Sequence, residues 1–292
     1  MKIVENRKKF FAVSLVIILI GFAAMLYHIS KGDGAFQYDV DFTGGTSFEL
    51  DLGQDYDQDE LQQLITEVTG QSSPQIQQVL GTNSVAVKIQ SIDSETRQAL
   101  LEAITAQYPQ SVMSEVTDVS ATVSGEMQRA AVLATIVAGV AMLIYISLRF
   151  RDFRAGGSAI LALLHDILVV LSAYAIFRIP VNNTFIVVLL TILGYSINST
   201  IVIFDRIREN KSAFRENQVI EKINKSIAQT LARSINTSLT TLFTVGAIYI
   251  LGVPALKEFA LPMMIGILAG AYSSICISGS IWYMLLPKHK KS

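Results

Sequence analysis

The chain is short of charge, cysteine and histidine, and each shortage excludes something. Only 16% of its 292 residues are charged, where a soluble domain carries about 25%. The deficit is uneven. Long stretches hold almost no charge, while one stretch of about 100 residues is polar and acidic. That split describes a membrane protein with one soluble insert. The single cysteine, Cys276, lies in an apolar run, so no internal disulfide staples the insert, which must hold by its own core. Three scattered histidines, His28, His165 and His289, have no zinc or haem spacing, and no metal or other cofactor is expected. There is no Walker-type phosphate loop and no G-x-S-x-G elbow, so nothing points to an enzyme.

What the chain does have is apolar length. A span needs about 20 mostly apolar residues to cross about 30 Å of hydrocarbon. Six segments qualify, near 10–29, 130–148, 156–178, 183–204, 231–251 and 260–286. The first follows Arg7, Lys8 and Lys9 but is longer than a signal-peptide core. Its exit, Tyr27 to Lys31, has no small-x-small cleavage pattern, so it reads as an uncleaved anchor.

Lysine and arginine placement sets the expected orientation. One side collects the basic N-terminus, Arg149, Arg151 and Arg154, the 206–225 loop, and Lys288, Lys290 and Lys291. The other side has few cations. Both termini are therefore expected in the cytoplasm. The expected division is a terminus and first span at 1–30, an outer domain at 31–127, spans two to six at 128–287, and a basic tail at 288–292.

Within the outer insert, Phe48, Leu50 and Leu52 alternate as a strand. Leu61, Leu64, Ile65 and Val68 recur at helical spacing. Ile76–Leu80 and Val85–Ile89 alternate again, with Gly81-Thr82-Asn83 as the turn between them. Leu100, Leu101 and Ile104 mark a second helix stopped near Pro109, and Val112–Val119 a last strand. The order β-α-β-β-α-β predicts a ferredoxin-like α+β domain beside a membrane helical bundle. Asp51, Asp55, Asp57, Asp59 and Glu60 form an acidic cluster. It reads as a solvated face, or as a surface that meets basic segments of a passing chain. It lacks the calcium-loop spacing.

Polar groups inside spans are costly and tend to face a bundle interior or a water path. Helix three has His165-Asp166 near its middle, and helix four has Gly194-Tyr195-Ser196-Ile197-Asn198-Ser199-Thr200. Helix five carries Arg233, with Thr237, Thr240, Thr241 and Thr244 on the same face. Asp166, Asn198, Ser199 and Arg233 are the candidates for an ion path, and Asn198, Ser199 and Arg233 are expected at similar depth. The bland alternative is that serine, threonine and asparagine simply glue helices together, at about 0.6 kcal/mol each. In helix six, Gly266, Gly270, Ser274 and Ser278 repeat every four residues, a seam for close packing within the bundle or toward a partner.

Several blocks together resemble the SecF family of the bacterial Sec secretion machinery. Asp41-Phe42-Thr43-Gly44-Gly45-Thr46 resembles its D-F-x-G-G signature. Arg149-Phe150-Arg151 and Ala162 to Asp166 resemble its R-F-R and A-L-x-H-D blocks. Leu190 to Asn210 resembles T-I-x-G-Y-S-I-N-D-T followed by F-D-R-I-R-E-N, and includes the helix-end motif Asp205, Arg206 and Arg208. Thr230 to Ser238 resembles T-L-x-R-T-I-N-T-S, and Tyr272 to Ile275 resembles Y-S-S-I. One position departs: the family aspartate that is taken as a proton carrier is replaced here by Ser199.

The resemblance implies a subunit that pairs with SecD beside the SecYEG channel, in a twelve-helix unit similar to resistance-nodulation-division transporters. It implies that a proton or sodium gradient drives late movement of a translocating polypeptide, with no cofactor and no nucleic-acid partner. Two other functions stay open at this point: half of a small-molecule or lipid exporter of the same superfamily, and an ion-independent scaffold of the translocon.

Overall fold

A computed structural model describes residues 1–71, 74–78, 84–252 and 254–287. Among these described residues, six helices are long and apolar enough to cross a membrane. They lie in α1 (Arg7–Lys31), α5 (Ala121–Phe150), α6 (Phe153–Phe177), α7 (Asn183–Glu209), α8 (Val219–Leu251) and a last span. The last span is made of α9 (Pro254–Tyr272), a π-helical segment at Ser273–Ser278, and α10 (Gly279–Leu285).

Within the span cores, 44%, 50% and 56% of residues are buried in α6, α7 and the last span, against 11%, 17% and 17% in α1, α5 and α8. The first three are therefore the centre of the bundle. The others wrap it, with apolar side chains such as Leu133, Ile144 and Phe243 turned outward. Small residues set the close approaches. A side chain at Gly21 of α1 would run into Ser172 of α6, and one at Gly266 of α9 into Ile192 of α7. The 266/270/274 ridge thus lies against the 192/196/200 ridge of α7, and the seam read from the sequence is internal to the bundle.

Between α1 and α5 the chain forms an α/β module. It comprises α2 (Val40–Thr43), β1 (Gly45–Asp51), α3 (Gln58–Thr69), β2 (Gln75–Gln78), β3 (Ser84–Ile89), α4 (Ser94–Gln107) and β4 (Val112–Val119). The sheet order is β2-β3-β1-β4, with every neighbouring pair antiparallel. Its core joins Phe48, Leu50, Val85 and Val87 of the sheet to Leu61 and Ile65 of α3 and Leu100 and Ile104 of α4. Asp57 and Asp93 cap α3 and α4 by accepting from first-turn N–H groups. The expected turn at Gly81-Thr82-Asn83 lies outside the described residues, as does the basic tail from Lys288.

Helix ends differ from the hydropathy reading. α8 begins at Val219, a dozen positions before its apolar run, because polar residues continue the helix beyond the span. α5 likewise begins at Ala121, capped by Ser120. The short α2 has no apolar run of its own. Asp39 caps it and Gly44, at φ 77°, ends it.

Two carboxylates in the module make its stability depend on pH. Asp93 is held below the usual carboxylate range by the Thr96 N–H at 2.7 Å. Asp118 is held low by the Thr46 hydroxyl at 2.7 Å, with Arg97 adding a second bond at 2.8 Å. Groups with lowered folded values stabilise fully above their unfolded value, near 3.8, and lose that contribution as pH falls through the folded value. Protection of β1 and β4 amides in the full chain, relative to intrinsic exchange at the same pH, should therefore fall as pH drops below about 4. Asp118→Asn should flatten that response.

Candidate functional site

The centre of the bundle holds one fully buried carboxyl, Asp166 of α6. Its Oδ2 accepts from the Ser196 hydroxyl of α7 at 2.6 Å and from the Ser273 hydroxyl of the π segment at 2.9 Å. Its Oδ1 lies 2.9 Å from Nδ1 of His165. One acidic group thus ties together the three central helices. Around it, Thr200 and Ser274 share a hydroxyl–hydroxyl bond at 2.9 Å, and Ser274 also donates to the Ser196 carbonyl at 3.2 Å.

Local chain geometry makes this possible. Ser196 and Thr200 are one turn apart on α7 and so share a face. Ser273 and Ser274 are adjacent, yet each donates a bond into the node, because the chain there winds in the wider π form. A side chain at Gly270 would come within 2.9 Å of Ser196 Cβ, so glycine there lets α9 carry Ser273 up to Asp166. Any change at the Asp166 carboxyl is therefore felt by the hydrogen bonds of two neighbouring helices.

The other candidates are placed as follows. Ser199 is buried on α7, one turn from Ser196, whereas Asn198 is exposed. Arg233 is exposed on α8 and makes no ion pair among the described residues. Thr237, Thr240 and Thr244 are also exposed and Thr241 is half-buried, and all four donate to carbonyls of their own helix. Arg206 and Gln229 meet at 2.8 Å and set the register of α7 against α8. At about 1.5 Å per residue, Thr237 then stands level with Asn198 and Arg233 about one turn lower. The bundle brings Asp166 to Ser196 and Ser273, and it does not bring Arg233 to any of them. Those two serines sit in recognised blocks, but a sequence shows which residues are polar and not which face of α7 meets α6.

At the helix ends, Asp205 is paired with Arg149 at 3.0 Å and Arg208 at 3.2 Å, and Arg206 with Glu209 at 2.6 Å. At the opposite end of α7, Asp41 accepts from the Asn183 N–H at 3.1 Å. Phe42 enters the core cluster that contains Tyr174, Val188 and Met263. Gln128 of α5 donates to the Phe42 carbonyl. Asp39, almost fully buried, pairs with Lys88 of β3 at 2.6 Å. Gly44 and Gly45, both at positive φ, turn the chain from this clasp directly into β1. The block therefore fastens the sheet to the start of α7. Among the described residues no cluster of His, Cys, Asp and Glu is arranged to hold a metal.

A profile of the family described as "Protein export membrane protein SecD/SecF, C-terminal" matches residues 99–288. The protein translocase subunit SecF of Acidaminococcus fermentans is 32% identical over 295 residues, covering 99% of this chain and 98% of that protein.

The chain belongs to the SecF family.

A second SecF, from Alicyclobacillus acidocaldarius, is 35% identical over 254 residues, covering 85% of this chain and 82% of its own length. The crystal structure of SecDF from Thermus thermophilus, a translocon-associated membrane protein, overlays with a TM-score of 0.81 at 32% identity. That match covers 96% of this SecF-family chain but 38% of the longer SecDF chain.

The Asp166 node has a measurable strength. Removing one partner of a buried polar group costs about 1–3 kcal/mol. Ser196→Ala and Ser273→Ala should each destabilise the full chain by about that amount. The double variant should cost more than the sum, because both hydroxyls serve one oxygen and only their joint loss leaves it without a hydroxyl donor. Thermal unfolding in detergent micelles checks both statements.

Proposed function

We propose that this chain is an accessory subunit of the Sec translocase, a transport protein and not an enzyme. It works with a SecD half beside the SecYEG channel, using an ion gradient across the cytoplasmic membrane for late movement of secreted polypeptides. Both termini face the cytoplasm. Residues 31–127 form a ferredoxin-like domain outside, between the first span (1–30) and spans two to six (128–287), with a basic tail at 288–292. The β-α-β-β-α-β order and the antiparallel sheet order support that description of the domain.

The observation that carries the coupling is Asp166. Helix glue needs only hydroxyls, and a carboxyl buried in a span is costly unless it works. Since Ser199 does not titrate near neutral pH, Asp166 is the group of this chain that loads and releases the ion. An ion descending the membrane potential releases about 2.3 kcal/mol per 100 mV, comparable to one hydrogen bond to a charged group. Loading Asp166 therefore suffices to weaken its hold on Ser196 or Ser273 and shift α7 against α9. Because the Asp41 clasp rests on the start of α7, such a shift reaches the outer domain. The exposed Arg233–threonine face of α8 supports a second membrane subunit. An arginine turned to hydrocarbon costs about 2.5–3.5 kcal/mol, which a polar partner face removes.

The test is completion of secretion into inside-out vesicles after ATP-driven initiation, with proton and sodium gradients set separately. Asp166→Asn should leave initiation intact and abolish the response to the driving gradient. Ser199→Asp in the same background should restore part of it. Export that ignores Asp166→Asn, Arg233→Gln and collapse of both gradients would instead make the chain an ion-independent scaffold.

A further inference from the structure

We propose that the ends of α5–α8 and α10 form a binding site for the head group of an anionic phospholipid. The site lies away from Asp166 and does not depend on the coupling reading.

A cavity of about 580 Å³ opens where the α5–α6 turn, the end of α7, the segment after it, the start of α8 and the end of α10 converge. Its lining carries Arg151, Arg154, Arg208, Lys211, Arg215 and Lys222. Two acids, Asp152 and Glu216, also line it. Asp152 is already engaged, accepting from the Arg154 N–H at 2.9 Å and from the Trp282 indole at 3.0 Å. Arg208 is paired with Asp205 at 3.2 Å, and the remaining cations still outnumber the two acids of the lining, so the cavity is net cationic. Basic loops on one side of a membrane protein set topology in any case. Convergence is the additional fact, since cations from the α5–α6 turn, the end of α7, the segment after it and the start of α8 line one hollow instead of dispersing over the surface.

The hollow has the layered chemistry of a lipid interface. Its floor is apolar, made by Phe204, Ile207, Val219 and Leu286. Trp282 stands in its wall, 6.0 Å from the Phe204 ring, with Lys222 5.8 Å over the indole. Tryptophan at such a boundary has its apolar body in the hydrocarbon and its N–H among polar groups. Phe153, between the lining residues Asp152 and Arg154, is 84% exposed, as expected of a side chain that meets acyl chains. A phosphate seated among guanidinium and ammonium groups, with its tails leaving past Phe153, satisfies both layers. A soluble anion or a purely acidic segment satisfies only the upper one.

The chain has one tryptophan, so its fluorescence reports this cavity. The full chain is placed in phosphatidylcholine nanodiscs containing a minor fraction of lipid brominated near the carbonyl end of its acyl chains. Brominated phosphatidylglycerol should quench Trp282 more than an equal fraction of brominated phosphatidylcholine. The preference should fall about fivefold for each cation removed, and vanish in Arg151→Gln/Arg154→Gln/Arg215→Gln. Lys2→Gln/Lys8→Gln/Lys9→Gln, which removes three charges elsewhere, should retain it. Unbrominated phosphatidylglycerol should relieve the quenching, whereas soluble glycerol phosphate should not. Equal quenching by both lipids, a preference that survives the cavity variant, one lost equally in the lysine control, or full relief by glycerol phosphate would each overturn the proposal. An unchanged emission spectrum in pure phosphatidylcholine shows that the variant is folded. If the triple variant fails that check, Arg215→Gln alone serves, since Arg215 is exposed and lies outside the helices.

Discussion

Hydrocarbon offers no water to a buried carboxyl, so every bond that Asp166 needs must come from the protein. An uncompensated buried charge costs several kcal/mol. This constraint organises the middle of the bundle. Two donors arrive from α7 and the last span, and both helices must approach α6 closely to deliver them. Glycine at 266 and 270 permits that approach, and the buried hydroxyls of Thr200, Ser274 and Ser278 continue the seam. Outside the seam, packing is ordinary and apolar, and the peripheral helices α1, α5 and α8 bury far less.

α7 is the element on which the separate features meet. Its first residues receive Asp41 from the clasp that leads into β1, its middle supplies Ser196 to Asp166, and its last turn holds Asp205 between two arginines. A stiff helix gripped at three levels transmits displacement along its axis better than one held at a single point. The two ends of the molecule are thereby connected through a single continuous backbone.

Much of this was legible in the residues. Apolar length located the six spans, and alternation located strands and helices of the module. The ends of α5 and α8 were not legible, because polar residues such as Asn224 and Gln229 extend a helix without adding to its hydropathy. Asp166 stood out because an acid within a span is rare. Its partners did not, because serines are common in spans and only tertiary packing selects Ser196 and Ser273. The polar face of α8 followed from its spacing, but its outward direction is decided by where α7 and α9 dock.

The π turn at Ser273–Ser278 has a mechanical consequence. Neighbouring residues on an α-helix diverge by about 100°, and a π turn accommodates one residue more than an α turn. Were Ser273 to release Asp166 and the segment to rewind as α-helix, everything beyond it would rotate by about that angle. Trp282 would leave Asp152, and Leu286 would leave the cluster built around Ile3, Ile207 and Ile223. In that rewinding the last helix would act like a screw, converting a change at one hydroxyl in the bundle's interior into a swing of its far end.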